Sequence, residues 1–229
     1  LATRQGVVKK TVLNAFSNPR RSGVFAINID EGDEVISAHL SRKGQQVMMF
    51  TRSGMAIRFD ESDARAIGRI ARGVKGITMK NDDDAIVGCE IVNGDEAILI
   101  VCEKGFGKRS RVEDFRQTRR GGIGVRAIIT NERNGSIISA LSVQETDSAV
   151  LMSTIGQAVR ISVKGVRIMG RSTQGVKLVN IKEGDALIGV QRLESVEDDL
   201  SDATDTTDTE TPVEEVIIAE AVEASPEEG

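Results

Sequence analysis

Aromatic residues are scarce in this chain of 229 residues, which has no tryptophan, no tyrosine and only six phenylalanines. Proteins that bind single-stranded nucleic acid stack its bases on aromatic side chains, so the sequence offers few platforms for that kind of ligand. The absence of tyrosine also excludes any mechanism that needs a tyrosine nucleophile within this chain.

Cysteine and histidine are almost as rare, with two and one copies. Cys89 and Cys102 lie inside β-like runs, which indicates buried free thiols and a reducing cytoplasm rather than a disulfide scaffold. His39 belongs to no cluster with metal-ligand spacing, so no metal site is predicted. The segment 105–108 is similar to part of a phosphate loop, but Cys102 stands where the Walker pattern needs glycine. Independent catalysis is therefore not expected.

The sequence contains neither a signal-peptide pattern nor an apolar run long enough to cross a membrane, so we expect no membrane partner. Because it begins with Leu1, we expect a fragment or a processed product.

Charge is divided unequally along the chain. Residues 1–193 contain all 30 basic residues and 21 of the 35 acidic ones, a net charge of +9, although the whole chain carries −5. Residues 194–229 contain the other 14 acids and no basic residue. This division predicts a body that binds a polyanion, followed by a disordered acidic C-terminal tail over 194–229.

Glycines reveal four repeats of about fifty residues, because Gly6, Gly54, Gly105 and Gly156 recur at intervals of 48, 51 and 51. Short runs rich in Val and Ile separate them, and a second glycine opens a short strand in each repeat: Gly23, Gly76, Gly124 and Gly175. Three or four β-runs per repeat predict an all-β, propeller-like fold of about four antiparallel blades, over residues 1–46, 47–97, 98–149 and 150–193. The apolar runs 47–50, 98–101 and 150–152 are expected to fill the interior.

Basic residues recur in register with these glycines. The first basic column stands four residues after the first glycine of each repeat, and strand alternation predicts that Arg58 and Arg160 point outward. A second basic column precedes the second glycine. The first column is Lys10, Arg58, Arg109 and Arg160, the second is Arg20, Arg72, Arg120 and Arg171, and further basic residues near them are Lys9, Arg21, Lys75, Lys108, Arg119, Arg126, Lys164, Arg167 and Lys177.

Each of these charges alone is what any solvated blade surface would carry. Their repetition favours a continuous basic stripe along the rim instead. Arginine and lysine without aromatic residues suit phosphate contacts along duplex DNA, with steep salt dependence and little reading of sequence. We therefore predict that these residues contact duplex DNA.

Several stretches resemble the C-terminal domain of the DNA gyrase A family: GVVKKTVLNAF, GKRSRVEDF, ITNERNG and IMGRSTQGVKLVNIKEGDALIGVQRL, followed by an acidic tail. The resemblance implies a β-pinwheel, a propeller-like disc whose neighbouring blades exchange strands. It also implies that the rim wraps duplex DNA with positive handedness, so that the ATP-driven holoenzyme introduces negative supercoils. The implied partners are DNA, the rest of the gyrase A protein and the gyrase B protein, in the bacterial cytoplasm at the nucleoid.

Two departures from that family pattern are visible. The family has about six blades, whereas this chain shows four, and the first lacks its opening strand. The family's glycine- and arginine-rich box has only a degenerate echo at residues 117–124. Since type II topoisomerases cut DNA with a tyrosine, this chain cannot cut DNA, and no cofactor is expected in it; ATP and Mg²⁺ are implied for the holoenzyme only. The alternatives are the related C-terminal DNA-binding domain of topoisomerase IV and a protein-binding propeller, which should show apolar hot spots.

Overall fold

The computed structural model describes residues 1–195, so the predicted acidic tail lies almost entirely outside the described residues. The described part is all-β and forms four antiparallel sheets, which confirms the predicted propeller-like fold. Sheet 1 comprises β1 (Ala2–Thr3), β2 (Val7–Val8), β3 (Val35–Ser37) and β6 (Val74–Lys75); sheet 2 comprises β4 (Gln46–Thr51), β5 (Met55–Asp60), β7 (Ile86–Val92) and β10 (Val125–Arg126); sheet 3 comprises β8 (Ala97–Cys102), β9 (Phe106–Arg111), β11 (Ile137–Val143) and β14 (Val176–Lys177); sheet 4 comprises β12 (Ser148–Ser153), β13 (Ala158–Ser162) and β15 (Leu187–Leu193).

Neighbouring repeats exchange strands. The first three sheets each combine three strands of one repeat with a two-residue strand from the next, as the orders β3-β1-β2-β6, β10-β5-β4-β7 and β11-β8-β9-β14 show. Each exchanged strand pairs at the same place, one and two residues after the first glycine of the accepting repeat: Lys75 opposite Val7, Arg126 opposite Met55, and Lys177 opposite Phe106. Sheet 4 ends at β13 and has no exchanged strand among the described residues.

The two edges of each sheet have different surroundings. Strands β3, β7, β11 and β15 contact one another in succession, which places them at the inner edge, where the blades converge. The exchanged strands β6, β10 and β14 form the opposite, outer edge of sheets 1, 2 and 3. The residues on these exchanged strands therefore lie on the rim.

The hydrophobic core lies between adjacent sheets, as expected for blades that bury both faces. Met48, Met49 and Phe50 are fully buried, and Phe50 packs edge-on against Phe115, with ring centroids 6.0 Å apart. The predicted interior run 150–152 is only partly buried, because Met152 is 41 % exposed on sheet 4, which within residues 1–195 has a packed neighbour on one side only. Cys89 and Cys102 are buried free thiols, as predicted.

A 3₁₀ turn follows the second strand of every repeat, after β2, β5, β9 and β13: Leu13–Phe16, Glu61–Asp63, Val112–Asp114 and Val163–Gly165. The predicted position of the second glycine is wrong in the second repeat. The structural equivalent of Gly124 and Gly175 is Gly73, with φ of 111°, since it immediately precedes the exchanged strand β6; Gly76 follows that strand. Within residues 1–195, no helix is long and apolar enough to cross a membrane.

Candidate nucleic-acid interface

The first basic column connects successive repeats. Arg58, on β5, points its guanidinium into the 3₁₀ turn of the next repeat, where Nη1 donates to the carbonyl oxygens of Val112 and Phe115 at 2.8 and 3.0 Å. Its Nε donates to the Gln46 side chain. The Val112 carbonyl oxygen also accepts the Phe115 amide within the turn, at 3.1 Å, and the guanidinium supplies a further, charged donor to both carbonyl groups. Burial lowers the pKa of Arg58 from its usual value.

The equivalent residues of the first and third repeats, Lys10 and Arg109, make the same kind of contact with the next repeat. Arg109 is only 4 % exposed, and its Nε donates to the Val166 carbonyl oxygen at 2.7 Å, next to the fourth 3₁₀ turn. Lys10 donates to the Glu61 carbonyl oxygen at 2.9 Å and forms an ion pair with the Glu61 carboxylate. The prediction that the column faces outward is therefore wrong for these residues. Side chains four residues after the first glycine of a repeat reach across to the next blade, and strand alternation within one sheet does not reveal this contact.

Lys9 and Lys108 are also buried rather than exposed on the rim. Lys108 is fully buried, and its Nζ donates to the carbonyl oxygens of Gly170 and Arg171 at 2.7 and 2.9 Å. Burial lowers the pKa of its ammonium group to about 8. Lys9 donates in the same way to the carbonyl oxygens of Ala26 and Arg69. Both lysines fix loops, and a phosphate has no access to them.

Arg160 is the exception in the first basic column. It also stands four residues after the first glycine of its repeat, on β13, but it is exposed, and among residues 1–195 its guanidinium donates only to Ser148 Oγ, at 3.2 Å. No 3₁₀ turn of a following repeat lies beside it in the described part of the chain.

Arginines of the second basic column hold the exchanged strands in place. Arg120 donates from Nη1 to the carbonyl oxygen of Lys75 at 3.0 Å, and Arg171 donates to that of Arg126 at 3.1 Å. Both side chains are half-buried. Arg69 makes the equivalent bond, to the Phe25 carbonyl oxygen. It is absent from the predicted set, because taking Gly76 instead of Gly73 as the second glycine of that repeat assigns Arg72 to this column. Arg72 is exposed and forms an ion pair with Asp30.

Three predicted residues form a regular feature of the rim. Lys75, Arg126 and Lys177 each occupy the second position of an exchanged strand, at the outer edge of three successive sheets. All three are exposed, and among residues 1–195 none forms an ion pair with a carboxylate. We call these three residues the outer-edge triad.

Further exposed basic residues lie in the loops that lead into the exchanged strands. One set stands eleven residues after the first glycine of its repeat and comprises Arg65, Arg116 and Arg167. Arg65 and Arg116 are absent from the predicted set, although aligning the repeats at the first glycine would find them. The remaining predicted residues Arg20, Arg21, Arg119 and Lys164 are also exposed.

These features define a class: a strand-exchanged β-propeller whose outer edge carries regularly spaced positive charge. Comparison with known proteins gives the family. The model described as "DNA gyrase C-terminal domain, beta-propeller" matches residues 1–42, 45–93, 96–144 and 147–194, so the chain belongs to this family.

Among the relatives, the DNA gyrase A protein of Chlamydia pneumoniae is 56% identical over 200 residues, which is 87% of this chain and 24% of that protein. The DNA gyrase A protein of Escherichia coli K12 is 37% identical over 206 residues, 90% of this chain and 23% of that protein. The chain thus spans about a quarter of the length of the gyrase A proteins that it matches.

Solved structures show the same fold. A C-terminal domain of DNA topoisomerase IV superposes with a TM-score of 0.79 at 28% identity, covering 84% of this chain and 60% of that one. A DNA gyrase A C-terminal domain superposes with a TM-score of 0.75 at 27% identity, covering 85% of this chain and 64% of that one.

Proposed function

We propose that residues 1–195 bind duplex DNA without sequence specificity and bend it along the outer edge of the propeller. The observation that carries this proposal is the outer-edge triad: one exposed basic residue, free of ion pairs within residues 1–195, at the same position of three successive sheets. A regular row of positive charge on a curved surface suits a bent polyanion. Bending 20–30 base pairs costs on the order of 1–6 kcal/mol, so contacts from several blades are needed to offset it.

The proposed interface contains only part of the two basic columns. Lys9, Lys108 and Arg109 are buried with their donors directed at carbonyl groups, and we leave them out of the proposed interface. Exposed Arg20, Arg21, Arg119, Arg160, Lys164 and Arg167 stay in it beside the triad, and Arg65 and Arg116 join them. Arg120 and Arg171 support the interface by fixing the backbone of Lys75 and Arg126.

In the longer protein, we propose that this unit serves DNA gyrase as part of its A protein. The relatives named above are gyrase A proteins at 37–56% identity, which favours gyrase over the alternative, topoisomerase IV. The wrapped DNA would be delivered to a strand-passage gate formed by the rest of the gyrase A protein and the gyrase B protein. DNA cleavage, ATP and Mg²⁺ would all belong to those other parts, in the bacterial cytoplasm at the nucleoid.

A topological assay tests wrapping directly. Nicked circular DNA is incubated with increasing amounts of the chain, sealed by ligase and freed of protein, and its linking number is then measured on a gel. We expect the linking number to rise with protein, because a positively handed wrap becomes fixed when the nick is sealed. Binding without a change in linking number would favour a domain that holds DNA without wrapping it, and absence of binding would refute the proposed function.

A further inference from the structure

The turn before β11 carries a charge opposite to that of the corresponding turns in the other repeats. Four residues before the inner-edge strand, the other three repeats have an acidic residue: Glu31, Asp82 and Glu183. Two residues before that strand, they have an aspartate: Asp33, Asp84 and Asp185. The third repeat has Arg133 and Gly135 at these two positions. Its turn therefore replaces two negative charges by one positive charge.

The missing aspartate has a structural role that the third repeat fills with its main chain. In the second repeat, the Asp84 carboxylate accepts the amide of Ser53, the residue before the first glycine, at 2.9 Å. The corresponding amide in the third repeat, that of Lys104, donates to the Asn134 carbonyl oxygen at 3.2 Å. The fold thus keeps this contact without placing a carboxylate at the end of sheet 3.

Arg133 lies over an aromatic ring at the outer edge of sheet 3. Its guanidinium carbon is 4.8 Å from the ring centroid of Phe106, the first residue of β9. Lys177, a member of the outer-edge triad, pairs with Phe106 across the sheet and places its Nζ 5.9 Å from the same centroid. Cations within about 6 Å of a ring centroid are attracted to the ring. One ring therefore holds positive groups from two successive repeats.

Both cations keep their donors available. Arg133 and Lys177 are exposed, and among residues 1–195 neither side chain donates a hydrogen bond or pairs with a carboxylate. A guanidinium that lies over a ring retains N–H groups at its edge, and their planar fork matches two oxygens of a phosphate. The pair is suited to an anion with several oxygen acceptors.

The main chain of this turn is tied to the exchanged strand. Asn134 is fully buried, and its side-chain amide donates to the carbonyl oxygen of Gln174 at 3.0 Å. Gln174 stands two residues before β14, so this bond connects the turn that carries Arg133 to the strand that carries Lys177. The Arg133 amide in turn donates to Asn131 Oδ1 at 3.0 Å. Groups that are already held in place lose less conformational entropy when a ligand binds.

We propose that Arg133 and Lys177, held by Phe106, form a phosphate site for duplex DNA that sheets 1 and 2 lack. In those sheets the corresponding turn is acidic, and Val7 or Met55 stands where sheet 3 has the ring. This inference rests on the proposed DNA binding. It adds a contact residue outside both basic columns, and it makes sheet 3 the sheet that binds the duplex most tightly.

The duplex affinity of single variants of the whole chain, measured by fluorescence anisotropy over a series of salt concentrations, tests this site. Arg133→Gln should weaken binding about tenfold at low salt and flatten the slope of log affinity against log salt by about 0.9. Lys182→Gln is the matched control, because it removes the same charge from an exposed residue at the corresponding turn of the fourth repeat. Its affinity should stay within about twofold of the parent.

Phe106→Met separates a built site from charge alone, because it removes the ring and keeps every charge. Methionine already occupies this position in the second repeat as Met55, so the urea midpoint should change little. Affinity should fall about two- to fivefold, since the two cations are no longer held over a ring. For the same reason, Lys177→Gln should weaken binding more than Lys75→Gln in sheet 1.

Equal affinities for Arg133→Gln and Lys182→Gln would overturn this site, while the binding of the parent chain would leave the proposed function standing. Parent-like affinity of Phe106→Met with an unchanged urea midpoint would overturn it too, because the ring would then have no part in binding. A parent chain that binds no duplex DNA at low salt would refute the proposed function, and this site with it.

Discussion

Arg58→Ala should destabilise the fold far more than Arg160→Ala, although both remove an arginine at the same position of the repeat. Arg58 Nη1 donates to two carbonyl oxygens of the next blade, at 2.8 and 3.0 Å. A hydrogen bond to a charged group contributes about 1.5–3 kcal/mol, and its loss removes the charged donor from both part-buried carbonyl groups, of which that of Val112 keeps its bond from the Phe115 amide. The two bonds share one nitrogen and are not additive, so we expect a loss of about 2–4 kcal/mol for Arg58→Ala.

Arg160 is the matched control. Its single bond to Ser148 Oγ is solvent-exposed, so Arg160→Ala should change the free energy of unfolding by less than about 0.5 kcal/mol. Arg58→Lys should fall between the two, because lysine keeps the charge but presents a single donor atom in place of the planar fork.

Urea denaturation followed by far-ultraviolet circular dichroism measures all three variants. With a slope of roughly 2–3 kcal/mol per molar urea, Arg58→Ala should lower the midpoint by about 0.7–2 M. Similar midpoints for Arg58→Ala and Arg160→Ala would contradict the assignment of this column to blade–blade contacts. They would instead support solvated side chains that are free to contact DNA.

Three further outcomes follow from the structure. Gly54→Ala should lower the free energy of unfolding by about 1–3 kcal/mol more than Gly156→Ala in the same denaturation assay. Both glycines have positive φ, but only at Gly54 would the new Cβ meet a carbonyl oxygen, that of Ile128 at 2.6 Å, so equal losses of stability would refute the close approach. Burial raises the pKa of Glu90 to about 7 in the folded state, so the free energy of unfolding should fall as pH rises from about 4.5 to 7. Glu90→Gln should remove this pH dependence and raise the free energy of unfolding by at most about 3 kcal/mol at pH 8. An unchanged pH profile in the variant would argue against a buried, protonated Glu90. Deleting residues 194–229 changes the net charge from −5 to +9 and should tighten duplex binding, most clearly at low salt in a fluorescence-anisotropy titration; equal affinity at low salt would show that the acidic residues have no effect.

The repeat architecture was predictable because its signals are local. Glycines at a fixed spacing and β-branched runs between them determine where each strand lies, and the structure confirms four antiparallel sheets. The exchange of strands between repeats was not derivable from periodicity, since a two-residue strand such as Val74–Lys75 pairs with β2, more than sixty residues earlier in the chain. It entered only through the resemblance to a family.

The roles of the basic residues were harder to predict for a related reason. Alternation along β5 correctly separates the side chain of Arg58 from its apolar neighbours Ile57 and Phe59, but it describes one sheet in isolation. The next blade packs against that face and supplies carbonyl groups, so a position that should be solvated becomes half-buried or buried. Reversing the charge of Arg58 and Arg109 would therefore disturb the fold and cannot serve as a clean test of DNA binding.

The outer-edge triad provides that clean test. Lys75, Arg126 and Lys177 are exposed and their side chains support no blade–blade hydrogen bond within residues 1–195, so replacing all three by glutamine should leave the urea midpoint unchanged. The matched control replaces three exposed basic residues, Arg42, Lys80 and Lys182, in loops next to the inner-edge strands. Both triple variants remove the same formal charge, so any difference between them reports position rather than net charge.

The decisive measurement is the affinity of each triple variant for duplex DNA across a series of salt concentrations. Each phosphate contact contributes about 0.9 to the slope of log affinity against log salt, so the outer-edge variant should flatten that slope by about 2.7. The control variant should keep a slope close to that of the parent. Equal slopes for the parent and the outer-edge variant, with the fold intact, would contradict the central claim that DNA follows the outer edge of the propeller.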